Sequence, residues 1–145
     1  MATVSGKTIT GTSQDDDIRA NQYVSDDLSD VEILGGDGDD VLSDFISKSR
    51  ITSIYGGNGN DFMSASSYSG ATFASFFIDG DLGSDIFFLP GKSSGTPILT
   101  RKLTGTEIQY NDIDGGKLTA YVSDTTEIIS LYDKDGKTYF TLLKT

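Results

Sequence analysis

One motif recurs in this chain and limits what the chain can fold into. Residues 35–42 read Gly-Gly-Asp-Gly-Asp-Asp-Val-Leu, and residues 56–63 read Gly-Gly-Asn-Gly-Asn-Asp-Phe-Met. Both follow the pattern Gly-Gly-x-Gly-x-Asp-x-apolar. Glycine permits positive φ and lets two backbones approach closely, so the pattern predicts a tight turn. The apolar residue at position eight predicts a strand that enters a core directly after the turn.

Alignment on the sixth-position aspartate extends the repeat to four units, which start at residues 11, 35, 56 and 80. An isoleucine precedes each start by two residues, and an apolar residue occupies each eighth position. The isoleucines are Ile9, Ile33, Ile54 and Ile78, and the eighth-position residues are Ile18, Leu42, Met63 and Phe87. Apolar side chains at fixed places on both sides of each turn indicate two short strands that face one interior.

The spacing of the units, 24, 21 and 24 residues, makes each unit one coil of strand, glycine turn, strand and return turn. Coils that stack in parallel bury an apolar side that a single coil cannot bury alone. We therefore expect an all-β chain, with a parallel β-roll or β-solenoid of about four coils, 21–24 residues each, over residues 5–88. The return turns, at 19–30, 43–50 and 64–75, lack the glycine motif, so that motif lies on one edge only.

The second part of the chain has a different composition. Residues 89–97 contain both prolines and predict a connecting loop. Strand-like runs follow at 97–103, 106–110, 117–122, 127–132 and 138–143, with turn sequences at 112–116 and 133–136. Because an uncovered last coil would expose strand edges and core, we expect residues 98–145 to form an antiparallel β-cap.

Composition and charge exclude several kinds of site. The chain has no cysteine and no histidine, which removes thiol chemistry, the cysteine and histidine zinc sites and a histidine general base. Residues 1–88 hold 15 acidic and 4 basic residues and residues 89–145 hold 7 of each, so the net charge of −11 lies entirely in the first part. Such a surface disfavours nucleic acid and anionic lipid as partners. No apolar run has the length of a membrane span, and residues 1–5 lack a signal-peptide pattern.

The acidic residues coincide with the glycine turns. A carboxylate at position six and backbone carbonyls before it are oxygen ligands that suit a hard cation such as Ca²⁺. Stacking Asp40 over Asp61 without a cation would bring like charges together. The alternative is a metal-free stack in which Asp and Asn only shape tight turns, where these residues are common.

The nonapeptide Gly-Gly-x-Gly-x-Asp-x-apolar-x resembles the repeat of the RTX, or haemolysin-type calcium-binding, family. The resemblance covers residues 5–88. Units two and three match at every defined position, unit four has Asp81 for the second glycine, and unit one has Thr12 and Gln14 where glycines are usual. In that family Ca²⁺ lies between the turns of successive coils. The usual coil contains two nonapeptides with ions on both edges, whereas here one nonapeptide per coil implies one ion edge.

Carried onto this chain, the resemblance implies about two or three calcium ions, of which the one beside unit one is the least supported by the motif. The implied carboxylate ligands are Asp40, Asp61, Asp85 and Asp16. The implied carbonyl ligands are those of Gly36, Asp37, Gly38, Asp39, Gly57, Asn58, Gly59, Asn60, Leu82 and Ser84.

The resemblance also implies a function. A module of this family is secreted by bacteria through a type I secretion apparatus, and it folds on Ca²⁺ outside the cell as a non-catalytic part of a toxin, adhesin or exoenzyme. Residues 124–139 look like a segment that often follows RTX repeats and are compatible with a C-terminal secretion signal. The alternative is a polysaccharide-binding module attached to a carbohydrate-active enzyme, which would bind polysaccharide or a cell surface through return-turn aromatic residues and four basic residues. These basic residues are Lys48, Arg50, Arg101 and Lys102.

Two further acidic patterns are weaker. Residues 112–115 and 133–136 are similar to the start of an EF-hand loop, but both lack flanking helices and the terminal glutamate, so hairpin turns are the better interpretation. No particular pair of carboxylates stands out as a glycoside hydrolysis site. With no histidine or cysteine, the chain by itself is not expected to be an enzyme.

Overall fold

The computed structural model describes residues 2–24, 30–43, 51–64, 73–113, 117–124, 126, 128–133, 135 and 138–143. Within these residues the regular structure is β, apart from one short 3₁₀ turn at Ala20–Gln22. The strands in chain order are β1 (Thr3–Ser5), β2 (Thr8–Thr10), β3 (Asp17–Arg19), β4 (Asp30–Leu34), β5 (Val41–Ser43), β6 (Ile51–Tyr55), β7 (Phe62–Ser64), β8 (Phe73–Asp79), β9 (Ile86–Ser93), β10 (Ile98–Arg101), β11 (Gly105–Asn111), β12 (Lys117–Ser123), β13 (Ile128–Asp133) and β14 (Thr138–Leu143).

The strands form two sheets, and the chain passes between them at every repeat. The larger sheet has eight strands in the order β1-β2-β4-β6-β8-β12-β11-β10, and the smaller has six in the order β14-β13-β9-β7-β5-β3. Each unit contributes one strand to each sheet, joined by its glycine turn. Strands of successive units pair in parallel in both sheets. The prediction of an all-β chain is therefore confirmed.

The pairing register confirms the alignment of the four units. Ile9, Ile33, Ile54 and Ile78 pair successively across the larger sheet. The eighth-position residues, from Ile18 to Phe87, pair in the same way across the smaller sheet. All eight side chains are essentially inaccessible to solvent and belong to one core between the sheets. Because a shift of one residue would turn every side chain to the opposite face, burial of these columns determines the register.

The expectation that residues 98–145 form a purely antiparallel cap is wrong for two strands. β12 pairs in parallel with β8, and β13 pairs in parallel with β9, so together they form a fifth pass through both sheets. Only β10, β11 and β14 add antiparallel edges. The inward side chains Leu118, Ala120 and Val122 continue the core beyond Ile78, which explains the pairing.

The fifth pass does not match the repeat motif, because the turn between β12 and β13 has no glycine. The turn between Val122 and Ile128 is two residues shorter than the turn between their pairing partners, Ile78 and Ile86. A backbone hydrogen bond of 3.0 Å from the Thr126 N–H to the Ser123 carbonyl closes this shorter turn.

The predicted loop at 89–97 is also shorter than expected, because β9 continues to Ser93. The pairing between β9 and β13 shifts register beside Pro90, where β9 has extra residues relative to its partner. Proline lacks the N–H that a regular ladder needs and is tolerated in a strand at such an irregularity. The five strand-like runs that follow the loop are confirmed as β10 to β14, and the hairpins β11–β12 and β13–β14 are antiparallel.

Aromatic side chains stack on the outer faces of both sheets. On the larger sheet, Tyr55 contacts Phe77 and Phe77 contacts Tyr121, with ring centroids 5.7 and 5.3 Å apart. On the smaller sheet, Phe62, Phe88 and Tyr132 form a similar row with separations of 5.1 and 6.2 Å. Such cross-strand pairs stabilise neighbouring strands and favour the observed pairing. In the part of the chain that the structure describes, no helix has the length and hydropathy of a membrane span.

Candidate metal-binding edge

The glycine turns of the four units lie above one another on the edge where the chain crosses from the larger sheet to the smaller. At Gly59 the backbone has φ of 113°, and a Cβ there would collide with the carbonyl of Gly38 in the preceding turn. Only glycine satisfies both conditions at low cost. Successive turns therefore stack through direct backbone contact, which brings position six of each unit next to position six of the following one.

The sixth-position aspartates form a column along this edge, here called the carboxylate column (Asp16, Asp40, Asp61 and Asp85). The backbone N–H of each aspartate donates to Oδ1 of the next one. The distances from N to Oδ1 are 2.8 Å for Asp16 to Asp40, 2.9 Å for Asp40 to Asp61 and 2.8 Å for Asp61 to Asp85. Oδ1 of Asp40, Asp61 and Asp85 thus joins the coil of each of these aspartates to the preceding coil. The structure confirms that these predicted site residues lie side by side.

The second oxygen of the column is buried. Oδ2 of Asp40 and Oδ2 of Asp61 have no hydrogen-bond partner, and Oδ2 of Asp85 is equally inaccessible to solvent. Each Oδ2 lies against the first glycine of its own turn, so that a Cβ on Gly35 would be 2.8 Å from Oδ2 of Asp40. Leaving a buried acceptor unsatisfied costs about 1–3 kcal/mol, and more when the group is charged. The column therefore needs a counter-charge or a proton.

Burial also raises the pKa of two carboxyls of the column, Asp40 and Asp61. Loss of solvation raises the pKa of Asp40 to about 7, despite the hydrogen bond from the Asp16 N–H, and the nearby charges of Asp61, Asp16 and Asp15 raise it further. Burial likewise raises the pKa of Asp61 to about 6, against hydrogen bonds that favour its charged form. Both carboxyls hold protons more tightly than exposed aspartates because the charged form lacks compensation. The same environment favours a bound cation near neutral pH.

A second ladder of side chains, which the sequence analysis missed, connects the fifth positions. Oδ1 of Asp15 accepts from the Asp39 N–H, and Oδ1 of Asp39 accepts from the Asn60 N–H, both at 2.8 Å. Oδ1 of Asn60 in turn accepts from the Ser84 N–H at 2.9 Å. The sequence signal was present, because every fifth position is Asp, Asn or Ser. These side chains are exposed and support the stacking of the turns.

The predicted carbonyl ligands fall into groups with different surroundings. Carbonyl oxygens of Gly36, Gly38 and Gly59 point along the stack, against the corresponding residues of the next turn. The Leu82 carbonyl accepts from the Gly59 N–H at 3.1 Å. The Asn58 and Asp37 side chains pair at 2.9 Å on the exposed rim. The turns thus place backbone oxygens and carboxylate oxygens on the same edge.

The donor set fits Ca²⁺ better than other metals. Only oxygen donors are present, and Ca²⁺ accepts carboxylates and carbonyls in flexible geometry. Among the residues that the structure describes, no group of three or more acidic side chains converges on one point. A cation on this edge would therefore depend on backbone oxygens in addition to the carboxylates.

Those of the other candidate residues that the structure describes do not gather into a site. Oδ1 of Asp112 accepts from the Lys92 N–H at 2.9 Å and so ties β9 to the end of β11. Arg101 forms an ion pair with Asp124, and Nζ of Lys102 lies 3.9 Å from Oε2 of Glu107. Lys48 and Arg50, the other basic residues of the alternative interpretation, lie outside the described residues, as do the return-turn residues Phe45 and Tyr68.

Comparisons with protein-family models, with curated proteins and with solved structures found no match for this chain. The resemblance to the RTX family therefore rests on the repeat residues themselves.

Proposed function

We propose that this chain is a calcium-binding module with the β-roll, or β-solenoid, architecture of RTX repeats, and that Ca²⁺ stabilises its fold. The observation that carries the proposal is the buried Oδ2 of Asp40 and Asp61, repeated at the same place in successive turns. Two sheets in which the strands of successive units pair in parallel, with one glycine turn per unit, support the architecture.

The residues that would hold the ions are those of units two to four. Asp40, Asp61 and Asp85 would supply carboxylate oxygens, and the glycine turns would supply carbonyls. When bound, Ca²⁺ supplies positive charge that compensates the buried carboxylates. The chain itself contributes the stacking that positions these oxygens, through the N–H donors of the column and the ladder at position five.

Coupling between the ion and folding follows from this arrangement. The buried column exists only in the folded chain, so an ion that binds there stabilises that state by mass action. Without the ion, the acidic turns repel one another and the buried carboxyls lack compensation. Such a chain would be less stable at low Ca²⁺, which would favour export in the unfolded state, and more stable where Ca²⁺ is plentiful.

The cellular context that we propose follows from this coupling. Export in the unfolded state by a type I secretion apparatus, followed by folding in extracellular Ca²⁺, is compatible with the acidic repeats and the absence of cysteine. The chain would then serve as a non-catalytic folding and stability module within a larger secreted bacterial protein. A pulse of Ca²⁺ added to cells that secrete the parent protein should increase folded product outside the cells without changing its synthesis.

The direct test is Ca²⁺ titration of the purified chain by calorimetry, with melting followed by circular dichroism. We expect wild-type protein to bind Ca²⁺ and to melt at a higher temperature in Ca²⁺ than in chelator. Asp61→Asn should lower the Ca²⁺ affinity at least about tenfold, which corresponds to the loss of about 1.4 kcal/mol of binding free energy. The matched control is Asp17→Asn, which removes the same charge from an exposed residue outside the column and should retain wild-type binding. Identical melting of the wild type with and without Ca²⁺ would refute the proposal.

A further inference from the structure

The first turn compensates its carboxylate in a different way from the turns that follow. The Thr12 N–H donates to Oδ2 of Asp16 at 2.7 Å, and Thr12 Oγ1 lies 3.0 Å from both carboxylate oxygens. Thr12 Oγ1 also accepts from the Gln14 N–H at 3.1 Å. The oxygen that is left without a partner in Asp40 and Asp61 is therefore satisfied in Asp16 by the backbone N–H and the hydroxyl of Thr12.

The backbone of the first turn differs as well. In the later turns, positions two and four have positive φ, from 61° to 113°. These residues are Gly36 and Gly38, Gly57 and Gly59, and Asp81 and Gly83. Neither Thr12 nor Gln14, which occupy the same positions in the first turn, has positive φ. The first turn thus differs from the others in backbone conformation at these two positions, although the Thr12 and Gln14 carbonyls still lie against Gly36 and Gly38 of the second turn.

Asp16 also differs from the other three aspartates in its exposure to solvent and in its place in the column. Asp16 is only partly buried, whereas Asp40, Asp61 and Asp85 are between 0 and 2% exposed. Within the described residues Asp16 is the first member of the column: its backbone N–H donates to Asp40, and no N–H of a preceding described residue donates to its own carboxylate from an earlier turn. Water and Thr12 together can solvate this carboxylate, so it lacks the electrostatic need for a cation that the buried members have.

We propose that Thr12 takes the place of a cation in the first turn, so that ion binding begins at Asp40 and the first turn is a cation-independent end of the stack. The statement about ions rests on the proposed calcium function, whereas the capping role of Thr12 does not. The opposite end is closed in a related way, because the buried hydroxyl of Thr126 accepts from the Gly80 N–H at 3.2 Å in the glycine-free fifth turn. A threonine hydroxyl thus lies at each end of the stack of turns, one against the Asp16 carboxylate and one against the Gly80 N–H.

The test compares three variants of the whole chain. Thr12→Val removes the hydroxyl with little change of volume, Thr12→Ser retains it, and Asp16→Asn removes the charge while retaining an acceptor for the Thr12 N–H. We measure the number of Ca²⁺ ions bound per chain by calorimetry, and the melting temperature in chelator and in saturating Ca²⁺.

We expect Thr12→Val to lower the melting temperature by roughly 2–4 °C, and by the same amount with and without Ca²⁺. Thr12→Ser should melt close to the wild type. Asp16→Asn should bind the same number of ions as the wild type, whereas Asp61→Asn should bind fewer.

Two results would overturn the proposal. Loss of one bound ion in Asp16→Asn would show that the first turn binds a cation. Because this variant retains Thr12, the result does not depend on whether Thr12→Val folds. Equal melting of Thr12→Val and wild type in chelator would show that the threonine is not a cap. If the wild type binds no Ca²⁺, the calcium function fails, yet the comparison of Thr12→Val with Thr12→Ser in chelator still decides the capping role.

Discussion

At the scale of single residues, Asp40 and Asp61 use their two carboxylate oxygens for different purposes. Oδ1 accepts the N–H of the preceding turn, and Oδ2 is buried without a hydrogen bond. A side chain that only linked coils would need one acceptor, and at position five Asn60 performs that task as well as Asp39 does. Position six is aspartate in all four units, which is consistent with a demand for a second, charged oxygen.

The raised pKa values predict how the stability of the metal-free chain depends on pH. The folded state binds protons at Asp40 and Asp61 more tightly than the unfolded state, whose aspartates have the ordinary pKa of 3.8. The free energy of unfolding from these groups is therefore greatest below about pH 4 and falls as pH rises through 6 and 7. Protein freed of divalent ions on a chelating resin should melt at a higher temperature at pH 5 than at pH 8.

The control for this prediction is Asp40→Asn, which removes the group with the higher of the two pKa values. Its melting temperature should change less between pH 5 and pH 8 than that of the wild type. Saturating Ca²⁺ should also reduce the difference, because the ion competes with the proton for the same oxygens. A metal-free wild type that is more stable at pH 8 than at pH 5 would contradict the assignment.

At the scale of the elements, the fifth pass joins the C-terminal strands to the repeat core. Leu131 of β13 and Ile108 of β11 are completely buried in the same core as Met63 and Ile54. β12 also provides the edge on which β11 and then β10 are added. Residues 117–143 are consequently more than a cover for the last repeat, since they supply part of the core that holds it.

We expect Leu131→Ala to destabilise the whole chain by about 2–5 kcal/mol, because the side chain is fully buried and its removal leaves a cavity. Leu103→Ala is the matched control, since Leu103 is 94% exposed, and it should change stability by less than about 0.5 kcal/mol. Urea unfolding followed by circular dichroism measures both changes. If Leu131→Ala unfolds the C-terminal strands alone while the repeats keep wild-type stability, the two parts do not share one cooperative core.

At the scale of the whole molecule, charge and core are distributed unevenly. All of the excess negative charge lies in residues 1–88, where Asp40, Asp61 and Asp85 of the carboxylate column are buried and the side chains at position five are exposed. Exposed charges are screened by salt within about 10 Å at 0.1 M ionic strength, whereas buried ones are screened much less. Monovalent salt and a bound cation should therefore stabilise the chain by different means.

This difference predicts a ranking of ions. Millimolar Ca²⁺ should raise the melting temperature more than the same concentration of Mg²⁺, because Mg²⁺ requires near-octahedral geometry and gives up its water reluctantly. NaCl at roughly 0.1–0.5 M should produce a smaller increase, because it screens only the exposed charges. Melting curves recorded at equal ionic strength separate the two effects. Equal stabilisation by Ca²⁺, Mg²⁺ and ionic-strength-matched NaCl would indicate screening alone.

Much of this structure could be predicted from particular residues. The isoleucine that precedes each unit and the apolar residue at position eight predicted both the two columns of the core and the parallel register. The sixth-position aspartates were predicted to lie together, and they do. These features follow from local rules, because glycine determines where the chain turns and the two-residue period determines which side chains face inward.

Contacts distant in sequence decided the rest. No local signal distinguishes β12 and β13 from antiparallel strands, and their parallel pairing with β8 and β9 depends on the open edge of the last repeat and on inward residues such as Val122. Likewise, the sequence places an aspartate in every turn without indicating how its oxygens are solvated. Only the stacked backbone shows that Thr12 satisfies Asp16, while Oδ2 of Asp40 and Oδ2 of Asp61 are enclosed without a partner. The sequence alone thus determined the repeat, its turns and its two columns of core residues, whereas burial by neighbouring coils decided which carboxylate oxygens are enclosed without a hydrogen bond.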